Sequence, residues 1–192
     1  YLESKETREI LVNDYVLTGY HSLKNETMDE TATRILRELT GLDNLYKKQF
    51  KVFGDPNRLT NEKDIIWVES ENFNPRTITI AYYFLVKTHE VDIEKNSHQP
   101  QWFPVNNLPE LGFDHKKIIY EAYADLKAKS LTEPIIFELL PNKFTVKELQ
   151  DVYESILGVE IDNRNFRRKL LTKKYLIQLD EKQVGVSKKP SQ

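Results

Sequence analysis

Residues 20–42, YHSLKNETMDETATRILRELTGL, contain the pattern that decides the fold of the first part of the chain. Thr27 followed three residues later by Glu30 is a capping box, so we predict that a helix begins there. Apolar residues then recur at helical spacing, at Met28, Ala32, Ile35, Leu36 and Leu39. Gly41 directly follows this run and is typical of a helix end. The stretch predicts a loop, an amphipathic helix and a second loop.

The spacing of the same stretch resembles the Nudix signature of pyrophosphohydrolases. That signature places a glycine and a glutamate before the run Arg-Glu-apolar-x-Glu-Glu-x-Gly-apolar. The residues at matching positions are Glu26, Arg34, Leu36, Glu38, Gly41 and Leu42. The departures are Tyr20 in place of the glycine, and Ile35 and Leu39 in place of two of the three helix glutamates. The resemblance therefore implies that the framework is present without its catalytic carboxylates.

The loss of these carboxylates has a direct chemical consequence. Positions 35, 38 and 39 lie three and four residues apart, so their side chains share one face of a helix. Three carboxylates on that face could hold a divalent cation, but only Glu38 is present. We therefore predict no catalytic residue, no metal site and no resident cofactor. A plain surface helix that ends at Gly41 is the alternative interpretation of this stretch.

Composition narrows the class of protein. The 192 residues are 39% hydrophobic and 30% charged, which is typical of a globular protein. The chain has no cysteine, so disulfides, thiolate metal sites and a cysteine nucleophile are excluded. No apolar run approaches the ~18 residues of a membrane helix and no signal peptide is visible, which indicates a cytoplasmic protein. The four histidines show no metal-ligand spacing; they are His21, His89, His98 and His115.

The remainder of the first 130 residues alternates strand and helix patterns and predicts an α+β fold. Strands are expected at 14–18, 45–53, 76–86 and 101–105. In the third of these, even-numbered and odd-numbered side chains should face opposite sides of a sheet. Residues 54–75 form a polar excursion that contains a short strand at 65–68. A helix should then run from Asp114 to about Lys129.

The C-terminal segment predicts a helix-turn-helix. Thr145 and Glu148 form a second capping box, and Gly158 should end that helix. Asp162 or Asn163 should then cap a second helix in which Phe166 packs inward. The polar residues of that helix remain outside and could contact DNA; they are Arg164, Asn165, Arg167, Arg168 and Lys169. Residues 175–179 should form a wing strand.

The charge distribution supports this division of the chain. Residues 141–192 carry 11 basic and 7 acidic residues, a net charge of +4. Residues 1–140 carry 17 basic and 23 acidic residues, a net charge of −6. A basic C-terminal part indicates an acidic partner such as nucleic acid, although a solvated basic face would give the same count.

Four further segments resemble one branch of Nudix-related proteins, the NrtR-type and AraR-type transcription regulators. The segments are 53–58, 80–83, 102–115 and 163–170. The resemblance implies a Nudix-like mixed sheet sandwiched by helices and followed by a winged helix-turn-helix domain. We accordingly expect an N-terminally incomplete sensor at 1–130, a hinge at 131–141 and a DNA-binding domain at 142–192.

The resemblance also implies a function. We expect a homodimeric, effector-responsive regulator that binds a double-stranded DNA operator and no membrane. By analogy with the substrate cleft of the fold, the effector should contact Tyr20, His21, Glu38, Tyr82 and Tyr83. The two subgroups imply an ADP-ribose-like nucleotide or a sugar such as arabinose, and the depleted carboxylates favour an uncharged pentose.

Two other functions remain open. The first is a Nudix hydrolase of ADP-ribose-like nucleoside diphosphates, with carboxylates from Glu26, Glu38, Glu69 and Glu71 and with magnesium held jointly with the substrate. The second is a protein-interaction adaptor that does not bind DNA.

Overall fold

A computed structural model describes residues 2–3, 10–12, 15–59, 77–87, 100–170, 176, 177 and 179. The chain divides into two compact units, Tyr1–Lys143 and Phe144–Gln192, and each is described by itself. Within the described ranges, no helix combines the length and apolar character that a membrane span requires.

The helix predicted within residues 20–42 is confirmed. Helix α1 spans Met28–Thr40, and its N-cap Thr27 forms both hydrogen bonds of the capping box with Glu30. The Glu30 amide donates to Thr27 Oγ1 (3.2 Å), and the Thr27 amide donates to Glu30 Oε2 (2.7 Å). Gly41 ends the helix with a φ of 76°, a left-handed conformation in which a β-carbon would be strained. The capping residues thus fix both ends of α1.

Two pairs of antiparallel strands are described. The short strands β1 (Leu2–Glu3) and β2 (Ile10–Val12) pair with each other. The longer strands β3 (Tyr46–Phe53) and β4 (Thr79–Leu85) pair along their whole length, with a bulge between Gln49 and Lys51. The strands predicted at 45–53 and 76–86 are therefore confirmed within the part of the chain that the structure describes.

Helices cover the two faces of the β3–β4 pair. On one face, the Tyr82 hydroxyl lies 2.9 Å from Asp29 Oδ1 in the first turn of α1. On the other face, the Tyr83 hydroxyl donates to Asp125 (3.2 Å) in helix α2, which spans His115–Thr132. The predicted alternation of side chains along β4 is thus confirmed. The core between the sheet and α2 contains Phe53, Ala81 and Ile118, with Leu17 and Phe50 packed against them.

A buried ion pair joins the sheet to the start of α2. Arg58 donates to both carboxylate oxygens of Asp114, at 2.9 and 2.5 Å, and the two side chains are only 6% and 11% exposed. Arg58 also donates to the Phe53 carbonyl (2.9 Å) and to Thr79 Oγ1 (2.7 Å). One guanidinium therefore connects the end of β3, the start of β4 and the residue that precedes α2.

Two of the predicted strands are wrong. Residues 101–105 lack strand pairing and lead into a turn in which the Asn107 amide donates to the Pro104 carbonyl (2.9 Å). Proline lacks the N–H that a ladder needs, and Trp102 is 51% exposed rather than buried on one face. Within 14–18, one parallel bridge joins Tyr15 to Leu111. Leu17 cannot extend that pairing because its amide donates to the His115 imidazole (3.0 Å). The predicted strand at 65–68 lies outside the described residues, as does most of the 54–75 excursion.

Helical structure occupies most of the segment expected to act as a hinge. Helix α2 continues to Thr132, and a 3-10 helix follows at Pro134–Leu139. Ile135 and Ile136 in the 3-10 helix are buried, Ile136 completely. The end of the first unit is thus anchored by apolar packing.

The second unit contains the two helices predicted from its sequence. Helix α3 spans Val146–Leu157, with a complete capping box between Thr145 and Glu148 and a left-handed Gly158 at its end. Helix α4 spans Asn163–Leu170. Asp162 is the residue that caps it, because Asp162 Oδ1 accepts the Asn165 amide (2.9 Å). The predicted wing strand at 175–179 lies largely outside the described residues.

The buried His115 makes the stability of the first unit depend on pH. Its Nδ1 accepts the Leu17 amide, so the folded state needs the neutral ring. Burial lowers the pKa of His115 from 6.5 to about 4. The unfolded chain therefore binds the extra proton between these values, and the contribution is complete above pH 6.5 and lost as the pH falls towards 4. We expect a loss of about 3 kcal/mol over that interval.

The control for this prediction is His115→Asn, because an asparagine Oδ1 can accept the same amide hydrogen without titrating. Chemical denaturation at a series of pH values measures the difference. Equal pH dependence in the two proteins would show that His115 does not carry this effect.

Candidate functional sites

Arg34 organises the Nudix-like loop and helix. Its guanidinium forms two hydrogen bonds with the Glu26 carboxylate, at 2.6 and 2.9 Å. It also donates to Glu38 Oε2 (3.1 Å) and to the backbone carbonyl of His21 (2.9 Å). Arg34 thereby links the middle of α1 to the loop that precedes it, and it holds that loop at His21 and at Glu26.

Glu26 completes this network from the loop side. Its Oε1 accepts the Leu23 amide (2.7 Å) and the Thr31 hydroxyl (2.9 Å) in addition to Arg34. The hydrogen bonds from Arg34 lower the pKa of Glu26 to about 2, and the Leu23 and Thr31 hydrogen bonds act in the same direction. Glu26 is therefore charged at neutral pH, with its lone pairs used to shape the loop.

The structure brings three of the five predicted ligand residues together. Tyr20 is 72% exposed and its ring lies 5.1 Å from that of His21. Glu38 reaches the same region because Arg34 bonds both Glu38 and the His21 carbonyl. We call the surface formed by Tyr20, His21 and Glu38 the loop site.

Tyr82 and Tyr83 do not share the loop site. The Tyr82 hydroxyl contacts Asp29, which precedes Glu38 by nine positions, about 13 Å along α1. Burial and the Asp29 hydrogen bond raise the pKa of Tyr82 to about 12. Tyr83 faces α2 on the opposite side of the sheet. The family resemblance placed both tyrosines in one cleft, although the predicted alternation along β4 already puts them on opposite faces of the sheet.

Burial in α1 explains why residue 35 is apolar. Ile35 is buried with 8% of its surface exposed, whereas Glu38 is a half-exposed side chain that pairs with Arg34. A glutamate at position 35 would have to lose its hydration in this packing. Among the residues described, no three carboxylate or imidazole side chains lie close enough to form a metal-binding group.

In the second unit, α4 presents a basic surface on an apolar anchor. Phe166 is 8% exposed and its ring packs edge-to-face on Tyr153 of α3, with centroids 5.5 Å apart. Five exposed residues surround this anchor on the outside of α4: Arg164, Asn165, Arg167, Arg168 and Lys169. Arg168 donates to Asn165 Oδ1 (3.0 Å), so these two side chains are held next to each other. The exposed arginines of this set carry the N–H groups that contacts with nucleic acid use.

Three residues with structural roles were missed by the sequence interpretation, although they lie in segments that carried the family resemblance. Arg58 and Asp114 form the buried ion pair, and His115 accepts the Leu17 amide. The sequence offered the charge and the imidazole, but their partners lie 56 and 98 residues away. An aspartate directly before a helix, such as Asp114, predicts a helix cap. It does not predict a buried ion pair with Arg58.

Comparison with known proteins agrees with both units. Residues 136–192 match the profile of the NrtR DNA-binding winged helix domain. The crystal structure of Shewanella oneidensis NrtR superposes with a TM-score of 0.61 and 26% identity, covering 80% of this chain and 67% of that one. The chain is therefore similar to NrtR-type proteins, in agreement with the resemblance of its sequence.

Two curated proteins are also similar to this chain. The ADPR responsive transcriptional repressor NtrR of Acinetobacter baylyi is 27% identical over 175 residues, which cover 88% of this chain and 63% of the relative. The ADP-ribose pyrophosphatase of Methanocaldococcus jannaschii is 30% identical over 107 residues, 55% of this chain and 54% of that protein. The chain thus spans less than two thirds of each of these curated relatives.

Two further solved structures are similar to this chain. Shewanella oneidensis NrtR complexed with a 27mer DNA gives a TM-score of 0.59 at 26% identity, covering 77% of this chain and 63% of that one. A MutT/nudix family protein from Enterococcus faecalis gives 0.66 at 21% identity, covering 88% and 71%. The second of these shows a shared fold.

The loop network predicts how Glu26 responds to loss of its partner. Arg34→Met should raise the pKa of Glu26 from about 2 towards 4.5, because the largest cause of the lowered value is removed. The rise should be partial, since the Leu23 and Thr31 hydrogen bonds remain. Carboxyl NMR titration measures this change.

Arg37→Met is the matched control on the same helix, because Arg37 is 60% exposed and pairs with Asp43 at 4.0 Å. It should leave the Glu26 titration unchanged. A low Glu26 pKa that survives Arg34→Met would show that the loop backbone alone sets it.

Proposed function

We propose that this chain is a DNA-binding transcriptional regulator in which the Nudix-like unit senses a small molecule and the winged helix reads DNA. The observation that carries the proposal is the exposed row of basic and amide side chains on α4, within a segment that matches the NrtR winged helix profile. We propose that residues 1–130 form the sensor and that residues 142–192 form the DNA-binding reader, with residues 131–141 between them.

The chemistry of α4 suits the major groove. The N-terminal part of a recognition helix contacts base edges, and α4 begins with Asn163, Arg164 and Asn165. Arginine can bind guanine bidentately and asparagine can bind adenine, while the later Arg167 and Lys169 can neutralise phosphates. Phe166 anchors the opposite side of the helix, so the polar side chains are held outward. The basic charge of residues 141–192 favours approach to DNA.

We further propose ADP-ribose or a closely related nucleotide sugar as the effector. This rests on the Acinetobacter baylyi relative, which is described as ADPR responsive, and on the retained Nudix-like loop and helix. Arg34 and Glu26 preserve the shape of the loop, whereas Ile35 and Leu39 occupy positions where a hydrolase needs carboxylates. Such a site can bind a substrate-like ligand without cleaving it.

An uncharged pentose is the competing effector. The exposed Tyr20 ring beside His21 offers an aromatic surface that a sugar could use. The same surface could stack on the adenine of a nucleotide. A pentose offers no adenine ring, so the comparison of the two ligands separates these possibilities.

Hydrolysis of ADP-ribose is a second candidate function, favoured by the similarity to the Methanocaldococcus jannaschii pyrophosphatase. Glu26 is occupied by Arg34 and by the loop, which leaves Glu38 as the carboxylate on the functional face of α1. One carboxylate is a poor magnesium site, so we favour a binding role.

A two-fold arrangement of two chains would match a palindromic operator, and we propose a homodimer for this reason. The effector then acts through its differential affinity for two arrangements of the paired reader units.

The DNA-binding role predicts separable effects in α4. A variant with Arg164, Arg167 and Arg168 all changed to alanine should lose operator affinity, and each lost phosphate contact should lower the magnitude of the salt slope by about 0.9. Its fold should persist because these side chains are exposed. Phe166→Ala should instead destabilise the second unit by about 3–5 kcal/mol, since it empties a buried aromatic position.

Duplexes selected from a random pool by the wild-type protein, titrated over a salt series, provide the measurement. Circular dichroism melting separates the two classes of variant. Unchanged DNA affinity in the triple variant would remove α4 from the interface.

The sensing role predicts a selective response to ligand. ADP-ribose should change the affinity for the selected duplex by about five-fold or more, the scale at which allosteric coupling becomes evident. Arabinose, and an equimolar mixture of AMP and ribose 5-phosphate, should leave it unchanged. With magnesium present, ADP-ribose should remain intact, as followed by phosphate NMR. A response to arabinose alone would favour the pentose, and steady release of AMP would favour the hydrolase.

A further inference from the structure

Within the second unit, the connection between α3 and α4 is held by two polar side chains of α3, Gln150 and Glu154. The Gln150 Nε2 donates to the Ile161 carbonyl (2.9 Å) and to Glu154 Oε1 (2.9 Å). Glu154 Oε1 in turn accepts the Ile161 amide (2.8 Å). Both polar groups of the Ile161 residue are therefore bound by side chains of α3.

Glu154 holds the connection at both ends. Its backbone carbonyl accepts the amide of Gly158, the left-handed residue that ends α3 (2.8 Å). Its carboxylate accepts the Ile161 amide three residues later. The next residue, Asp162, caps α4 by accepting the Asn165 amide. The start of α4 is thus tied to α3 through one continuous set of hydrogen bonds.

Gln150 occupies a position where an apolar residue would be expected in a helix packing face. It is 95% buried, since its relative exposure is 5%, and it follows Leu149, which is 1% exposed. The orientation of its amide is determined by chemistry, because Ile161 O and the Glu154 carboxylate are both acceptors and require the NH2 group. Its Oε1 has no partner among the described residues. Burial of an unpaired acceptor carries a free-energy cost, so packing alone does not explain this glutamine.

We infer that Gln150 and Glu154 are positioning residues for DNA recognition, which bind Ile161 and thereby fix the angle at which α4 presents its base-reading side chains. The inference rests on the proposed DNA-binding function. Phosphate contacts tolerate small changes of helix angle because they come from long flexible cations, whereas bidentate base contacts need defined geometry. Loss of the Gln150–Glu154–Ile161 hydrogen bonds should therefore reduce sequence-specific binding more than binding to unrelated duplexes.

The test compares affinity for the selected duplex with affinity for a scrambled duplex of the same length. Glu154→Ala and Gln150→Ala should each reduce this ratio ten-fold or more, with little change in the affinity for the scrambled duplex. Glu154→Gln should retain the ratio within three-fold, because its Oε1 can still accept the Ile161 amide. Rescue by this neutral variant would show that the hydrogen bond, and not the charge, is required.

Ile156→Val is the matched control for a loss of stability. Ile156 lies on α3 between these residues and the helix end, is 7% exposed and is absent from the polar network. The substitution should lower the melting temperature without changing the specificity ratio. A ratio that falls equally in Ile156→Val, or that stays within two-fold of wild type in both alanine variants, would overturn the inference. Failure of the wild-type protein to enrich any duplex would instead refute the DNA-binding proposal itself.

Discussion

Arg58 and Asp114 form a buried ion pair at the point where β3, β4 and the start of α2 meet. Because both side chains are almost fully removed from water, loss of either partner would leave an uncompensated charge, at a cost of about 3–5 kcal/mol. Arg58 also donates to the Phe53 carbonyl and to Thr79 Oγ1, which ties the chain after β3 to the ends of both strands. His115 follows Asp114 directly and accepts the Leu17 amide. Through Leu17, the segment before α1 is therefore held at the start of α2, next to the ion pair.

The Nudix-like loop and helix form a second, separate network around Arg34. In this arrangement Arg34 and Glu26 maintain the loop, and Ile35 contributes to packing. Arg34 and Glu26 thus hold the loop, while Ile35 on the same helix is a buried apolar residue. The residues that shape the loop, Arg34 and Glu26, differ from the residues of the helix face on which binding of a divalent cation would depend. The shape of the loop can therefore be kept without a metal site. A ligand-binding role is compatible with this division.

The second unit combines apolar and polar constraints on one helix. Phe166 fixes the distance of α4 from α3, and the hydrogen bonds to Ile161 fix its starting point. Apolar contacts are non-directional, whereas hydrogen bonds depend on angle and distance. In the proposed DNA-binding role both constraints matter, because a small rotation of α4 would move the ends of Arg164 and Asn165 by more than a hydrogen bond tolerates.

Local signals in the sequence determined the helices. The capping boxes at Thr27 and Thr145 and the glycines at 41 and 158 set the ends of α1 and α3, because these hydrogen bonds and backbone angles involve neighbouring residues. The alternation of side chains along β4 and the exposed basic row of α4 were also evident, because each follows from the spacing of neighbouring residues within one element. Sequence also led to the strand predicted at 101–105, where aromatic residues resembled a strand but Pro104 begins a turn.

Tertiary structure decided the contacts between distant residues. It paired Arg58 with Asp114, gave His115 a partner at Leu17, and placed Tyr82 and Tyr83 against different helices. It also brought Gln150 and Glu154 onto Ile161 across the turn. A sequence gives the charge and hydrogen-bonding capacity of each side chain. Which partner satisfies it depends on the packing of whole elements, because a buried polar group is stable only where the fold supplies its complement.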